Sequence, residues 1–157
     1  MRHQLKREQQ LYCDLATAWA FFSSSKNLSK ITPKEMNFVV LTNLSDDEIY
    51  PGMEIDYTVS PLLGIPMKWK TLITHVEFQK SFTDFQKKGP YKYWKHFHEF
   101  VPNEKGVLMK DTVNYELPMG ILGSIAHRLF VKKKLEDIFN YRYRVLENSF
   151  NEIAPAT

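Results

Sequence analysis

Trp94, His96, His98 and Phe100 stand at alternate positions, as do Asp111, Val113 and Tyr115, and Asp84 with Gln86 repeats the spacing upstream. In extended backbone, side chains two apart share a face, so each set presents its polar groups on one side. If the turn at 103–106 pairs Val101 with Leu108, His98 falls opposite Asp111, and two imidazoles meet two carboxylates. That grouping supports three chemistries. It can be a hydrogen-bonded network, because carboxylates and imidazoles are costly to bury unpaired. It can be an acid–base pair, with His96 or His98 polarised by Asp111, which suits cyclase or dehydratase chemistry. It can hold a metal, since His96-x-His98 places two imidazoles together, yet only Asp84 or Asp111 could complete the set. The expectation is no metal and no other cofactor.

His3, His75 and His127 do not join this group by periodicity, and Cys13 has no neighbour that would activate it. No GxSxG, phosphate-binding loop, GxGxxG or HExxH sequence occurs.

The elements that position these residues follow from composition and period. The chain has 157 residues, 43% hydrophobic and 25% charged, which suits one domain over 1–157 with a real core. Lysine and arginine exceed the acids by 21 − 18 = 3, too small an excess for a dedicated nucleic-acid binder. No apolar run reaches the ~20 residues that span a bilayer, and the N-terminus lacks the apolar core of a secretory leader. One cysteine suits a reducing cytoplasm. Eleven Phe, eight Tyr and three Trp are more ring surface than a small core requires, and rings with polar tips line pockets for apolar ligands.

An edge strand is expected over about 3–11. A short helix capped by Asp14 follows, with Leu15, Ala18, Trp19 and Phe22 on one face, and then a second over 26–31. Strands are expected over 36–42, 53–59, 67–73, 82–87, 91–101 and 107–117. From 124 to 152 the apolar period becomes helical, with Ile125, Leu129, Leu135, Ile138, Phe139, Val145, Leu146 and Phe150 as one stripe about 44 Å long. This is an α+β plan: a curved antiparallel sheet of about seven strands around one long C-terminal helix, with two short helices after the first strand.

The order resembles the helix-grip fold of the START-like (SRPBCC) superfamily. More specific likenesses are Trp19-Ala-Phe-Phe22, Ile31-Thr-Pro33, Tyr50-x-Gly52-Met53, Gly89-Pro90-Tyr91, Trp94-x-His96-x-His98-x-Phe100 and Tyr115-x-Leu117-Pro118. They resemble a bacterial ligand-binding branch, some members of which are labelled cell-division inhibitors. The resemblance covers about residues 5–150. It implies a cavity between sheet and helix that holds a small, largely apolar molecule: a lipid, an isoprenoid or an aromatic metabolite. A polyketide cyclase or dehydratase-like enzyme and a protein-interaction module tied to cell division are the alternatives. A reaction is not implied, because fold and function are separable.

The residues expected to line the cavity are Trp69, Asp84, Gln86, Trp94, His96, His98, Asp111 and Tyr115, and a volume of roughly 300 Å³ or more is expected. Two apolar turns, Pro61-Leu-Leu-Gly-Ile-Pro66 and Pro118-Met-Gly-Ile-Leu-Gly123, are expected to gate it through Leu62, Leu63, Ile65, Ile121 and Leu122. The other reading of these turns, with Lys132, Lys133 and Lys134 nearby, is transient contact with a membrane surface, without stable insertion.

Overall fold

Alternation and capping produce most of what the computed structural model contains; it describes residues 1–43, 48–61 and 64–151. Strand β1 (Arg2–Leu11) leads into helix α1 (Leu15–Phe22), started by Asp14, whose Oδ1 accepts the Thr17 N–H at 2.7 Å. Two 3₁₀ turns follow, Ser25–Ile31 and Lys34–Met36. Then come β2 (Val39–Val40), β3 (Glu54–Val59), β4 (Met67–Glu77), β5 (Ser81–Lys88), β6 (Tyr93–Asn103) and β7 (Gly106–Glu116). All pair antiparallel in one sheet of order β1-β7-β6-β5-β4-β3-β2, which puts β1 at an edge as expected. The C-terminal helical segment consists of α2 (Gly120–Ala126), a π-helical turn (His127–Val131) and α3 (Lys132–Phe150).

Two expectations change. The strand expected over 36–42 shrinks to β2, because Met36 ends a 3₁₀ turn and Asn37 takes left-handed backbone at φ 45°, incompatible with extension. The helix expected to start at 124 begins at Gly120 and carries a π turn, and its described part ends at Phe150. Ile125 and Leu129, expected in the buried stripe, are exposed.

The sheet curves where register shifts interrupt the β4–β5 ladder, between Lys70 and Thr71 and again between Ile73 and His75. Its concave face holds two apolar clusters. Trp19, Phe22, Phe82, Phe100, Val107, Met109 and Leu146 fill one end, and Tyr57, Trp69, Trp94, Val113, Tyr115, Leu135 and Phe139 the other. Between them each contributing element changes from apolar to polar. Asp111 lies between Met109 and Val113 on β7, His96 and His98 between Trp94 and Phe100 on β6, and Arg142 between Phe139 and Leu146 on α3.

The β6–β7 hairpin fixes that alignment. It pairs Asn103 with Gly106, Val101 with Leu108 and His98 with Asp111. Gly106 adopts φ +128°, and a Cβ there would press on the backbone carbonyls of Leu11 and Cys13. Gly106→Ala is therefore expected to cost about 1–3 kcal/mol in urea unfolding. Gly64→Ala is expected to cost less, because its φ of +67° lies in the left-handed region that other residues can enter and no atom lies within 4 Å of its Cβ position.

Candidate functional site

A buried polar layer forms where β5, β6, β7 and α3 meet. His96 Nε2 lies 2.7 Å from Asp111 Oδ1, and His98 Nε2 lies 2.8 Å from Asp84 Oδ2. His98 Nδ1 is 3.0 Å from Asp111 Oδ1 but off the line of a hydrogen bond, so this contact is electrostatic. The two imidazoles sit against each other with ring centroids 3.7 Å apart. Arg142, from the far helix, brings Nη2 to 3.6 Å from Asp111 Oδ1.

Burial and neighbours set the charges. Burial pushes the Asp111 carboxyl up, but Arg142, His96 and His98 together hold it well below the usual carboxylate range. Burial likewise raises Asp84, and His96, His98 and Arg142 outweigh it, so Asp84 too is lowered. The histidines part company. Burial and the neighbouring His98 depress His96, whereas for His98 burial is overcome by its contacts with Asp111 and Asp84, which raise it. The layer thus holds two carboxylates and the Arg142 guanidinium, and of its two imidazoles His98 is the more basic and His96 the less basic. With His98 protonated and His96 neutral its charge sums to zero, the arrangement that makes so much polarity tolerable in a core. Because His96 Nε2 faces a carboxylate, its proton resides there and Nδ1 is the basic nitrogen.

Above this layer, between the sheet and α3, lies a cavity of about 180 Å³. Its wall is largely aromatic and aliphatic: Tyr57, Trp69, Tyr91, Trp94, Leu135 and Phe139. Trp69 and Trp94 meet edge to face, with centroids 5.3 Å apart. Thr71, Asp84, His96 and Arg142 supply the polar part of the lining, and Lys134 a cation. The volume is smaller than the roughly 300 Å³ expected, because the same rings that make the wall also occupy the space.

Of the residues expected to line a cavity, Trp69, Asp84, Trp94 and His96 line this one. The others stand behind it or beside it. His98 faces a smaller space of about 70 Å³ near Phe22 and Phe82. Asp111 lies behind His96. Gln86 spends its amide on the backbone of Tyr91, donating to its carbonyl at 2.7 Å and accepting its N–H at 3.2 Å, which clamps the β5–β6 turn. Tyr115 bonds His127 Nε2 at 2.7 Å, and His127 stacks on His3 with centroids 3.4 Å apart. Burial pushes both of these imidazoles below their ordinary value. The expected lining left out Arg142, Thr71 and Tyr57, of which the last two share the strand parity of Trp69 and Val59. Arg142 had one available signal: its place on the helical repeat Leu135, Phe139, Arg142, Leu146.

The expected gate differs. Ile65, Ile121 and Leu122 are exposed rather than packed across the cavity mouth, while Leu62 and Leu63 lie outside the described residues. Asp84, His96 and His98, expected to hold no metal, do offer ligand atoms within 4.8 Å of one another. Both Nε2 atoms are engaged with carboxylates, and Arg142 brings positive charge to the same layer.

No protein-family model matches the chain, and no curated protein does. Solved structures do. A START superfamily protein from Mycobacterium smegmatis superposes with a TM-score of 0.70 at 13% identity, covering 97% of this chain and 99% of that one. The major latex-like protein 151 of Panax ginseng gives 0.67 at 14% identity, covering 95% and 97%. A Thalictrum norcoclaurine synthase point mutant, in complex with a transition-state analogue, gives 0.65 at 15% identity, covering 95% and 96%. The chain thus has the helix-grip fold of START-like and major latex-like proteins; none of these three names concerns cell division. Among the described residues no helix is long and apolar enough to cross a membrane.

Two outcomes follow from the polar layer. Asp111→Asn takes the nearest carboxylate from Arg142 and from His96, leaving Asp84 as the layer's one anion, and is expected to cost about 3–5 kcal/mol in urea unfolding at neutral pH. His98, raised in the fold, contributes stability that is complete below its unfolded value of 6.5 and fades as pH climbs through the folded value. The stability difference between wild type and His98→Gln should therefore be larger at about pH 6 than at about pH 9, measured by urea unfolding; a difference growing with pH would contradict the assigned charge.

Proposed function

We propose that the chain is a binding protein for a small, largely apolar molecule, held between the sheet and α3. A lipid, an isoprenoid or an aromatic metabolite fits this description. The observation that carries the reading is the composition of the cavity: an aromatic wall with its few polar groups gathered around Asp84, His96 and Arg142. Such a wall supplies affinity through apolar area, and convergent polar groups orient one end of the guest. The whole chain acts as a single domain of the SRPBCC type, without cofactor or nucleic acid. Its lone cysteine suits the cytoplasm.

A second reading has its own observation. His96 lines the cavity and is bonded to Asp111 at 2.7 Å, so its basic nitrogen could accept a proton from a bound polyketide-like substrate, as in cyclase or dehydratase chemistry. The fold also carries an enzyme, norcoclaurine synthase. A role in cell division, the third reading, has no residue behind it.

Occupancy of the cavity is tested by fluorescence. An apolar dye such as 1-aminoanthracene should brighten on binding and quench Trp69 and Trp94. Val59→Phe and Val131→Phe add rings from opposite walls and should weaken dye binding by about tenfold or more, with the fold kept by circular dichroism. Undiminished binding by both folded variants would place the guest elsewhere. Turnover lost in His96→Gln while binding persists would favour the enzyme.

A further inference from the structure

Beside the cavity the protein carries a surface that a globular core does not account for. Helix α2 turns its apolar side outward: Ile121 is 81% exposed, Leu122 62% and Ile125 44%. At 100° per residue these three fall within one sector of roughly 100°, so they form a stripe, and the buried member of α2 is Gly123. Met119 precedes the stripe, and Leu129 and Phe130 extend it into the π turn; all three are exposed. Exposed Ile65, four residues after Pro61 of the cavity wall, adds apolar surface from the β3–β4 connection. The next helical residues, Val131, Lys134 and Leu135, line the cavity itself.

Charge around the stripe has one sign. From Leu117 to Leu135 the sequence contains Arg128, Lys132, Lys133 and Lys134 and no acidic residue. Of the flanking carboxylates, Asp137 pairs with Lys133 at 2.9 Å and Glu116 with Lys92 at 2.9 Å, while Glu136 borders the segment directly after Leu135. Arg128 and Lys132 are exposed.

We infer that this lip is a docking surface for an anionic lipid bilayer. A helix whose outward stripe is apolar and whose neighbouring side chains are cationic meets both demands of such a surface: the stripe enters the boundary between headgroups and acyl chains, and the cations meet the phosphates. A second copy of the chain fits less well, because a two-fold pairing through the stripe would bring Arg128 and Lys132 of one copy toward the same cations of the other. The position beside the cavity gives docking a purpose, since an apolar guest could pass between membrane and cavity with little exposure to water. Docking goes beyond the ligand-binding reading and is tested without any ligand.

The test is co-sedimentation of the full chain with vesicles. Phosphatidylcholine vesicles containing about one third phosphatidylglycerol should bind the protein at low salt, and pure phosphatidylcholine should bind at least about tenfold less. Ile121→Ser with Leu122→Ser, both on exposed positions that leave the core alone, should weaken binding about tenfold. Arg128→Glu with Lys132→Glu should remove the preference for anionic vesicles. No binding to anionic vesicles, or binding that the serine pair leaves unchanged, would overturn the inference. So would a wild-type dimer in light scattering that the serine pair converts to monomer, because the stripe would then be a contact between copies. Dye binding in the cavity, measured on the same variants without vesicles, separates failure of docking from failure of the binding reading.

Discussion

A carboxylate buried at Asp111 cannot stand alone. Stripped of water it needs compensating charge and donors from several directions, and it finds them in His96 and His98 on the neighbouring strand and Arg142 on the helix that crosses the sheet. That demand ties three elements together at one level of the structure. The β6–β7 hairpin must keep its register, or His98 leaves Asp111 and the faces of the strand invert. Helix α3 must cross where Arg142 reaches the sheet, which also sets Leu135 and Phe139 over the rings of β4 and β6. The apolar clusters on either side give the fold its bulk stability, while the polar layer between them fixes how helix and sheet are aligned.

The same layer defines what the cavity can receive. Its charges cancel internally, so a guest is not required to bring an ion, and an added charge would upset a balanced group in a poorly polarisable interior. What it offers instead are hydrogen-bonding positions at His96, Asp84 and Arg142, beneath an aromatic wall. His96, the less basic of the two imidazoles, is the one that lines the cavity.

Much of the polar layer was legible before any fold was known, because strand parity is strict and a short turn limits register: Trp94, His96, His98 and Phe100 share the concave face, and Val101 pairs with Leu108. Arg142 was hidden for a physical reason. Arginine on a helix normally reaches solvent, so periodicity counts it as a polar interruption rather than as the partner of a carboxylate thirty-one residues earlier. Gln86 and Tyr115 share the parity of lining residues, yet local partners engage them, Tyr91 in one case and His127 in the other. The start of the C-terminal helix misled in the opposite sense. Ile125 and Leu129 match the inward repeat of α3 in type and spacing, but the π turn between α2 and α3 changes the phase, and these residues emerge on the outside.

The protonation states of the two central histidines test the account most directly. Long-range proton–nitrogen NMR on ¹⁵N-histidine-labelled protein near neutral pH distinguishes an imidazolium from each neutral tautomer. Followed through a pH titration, His98 is expected to keep both protons to a higher pH than His96, the neutral His96 to carry its proton on Nε2, and the His96 signal to change when an apolar probe fills the cavity. His96 keeping both protons to the higher pH, or a His96 signal indifferent to a probe bound in the cavity, would contradict this ordering.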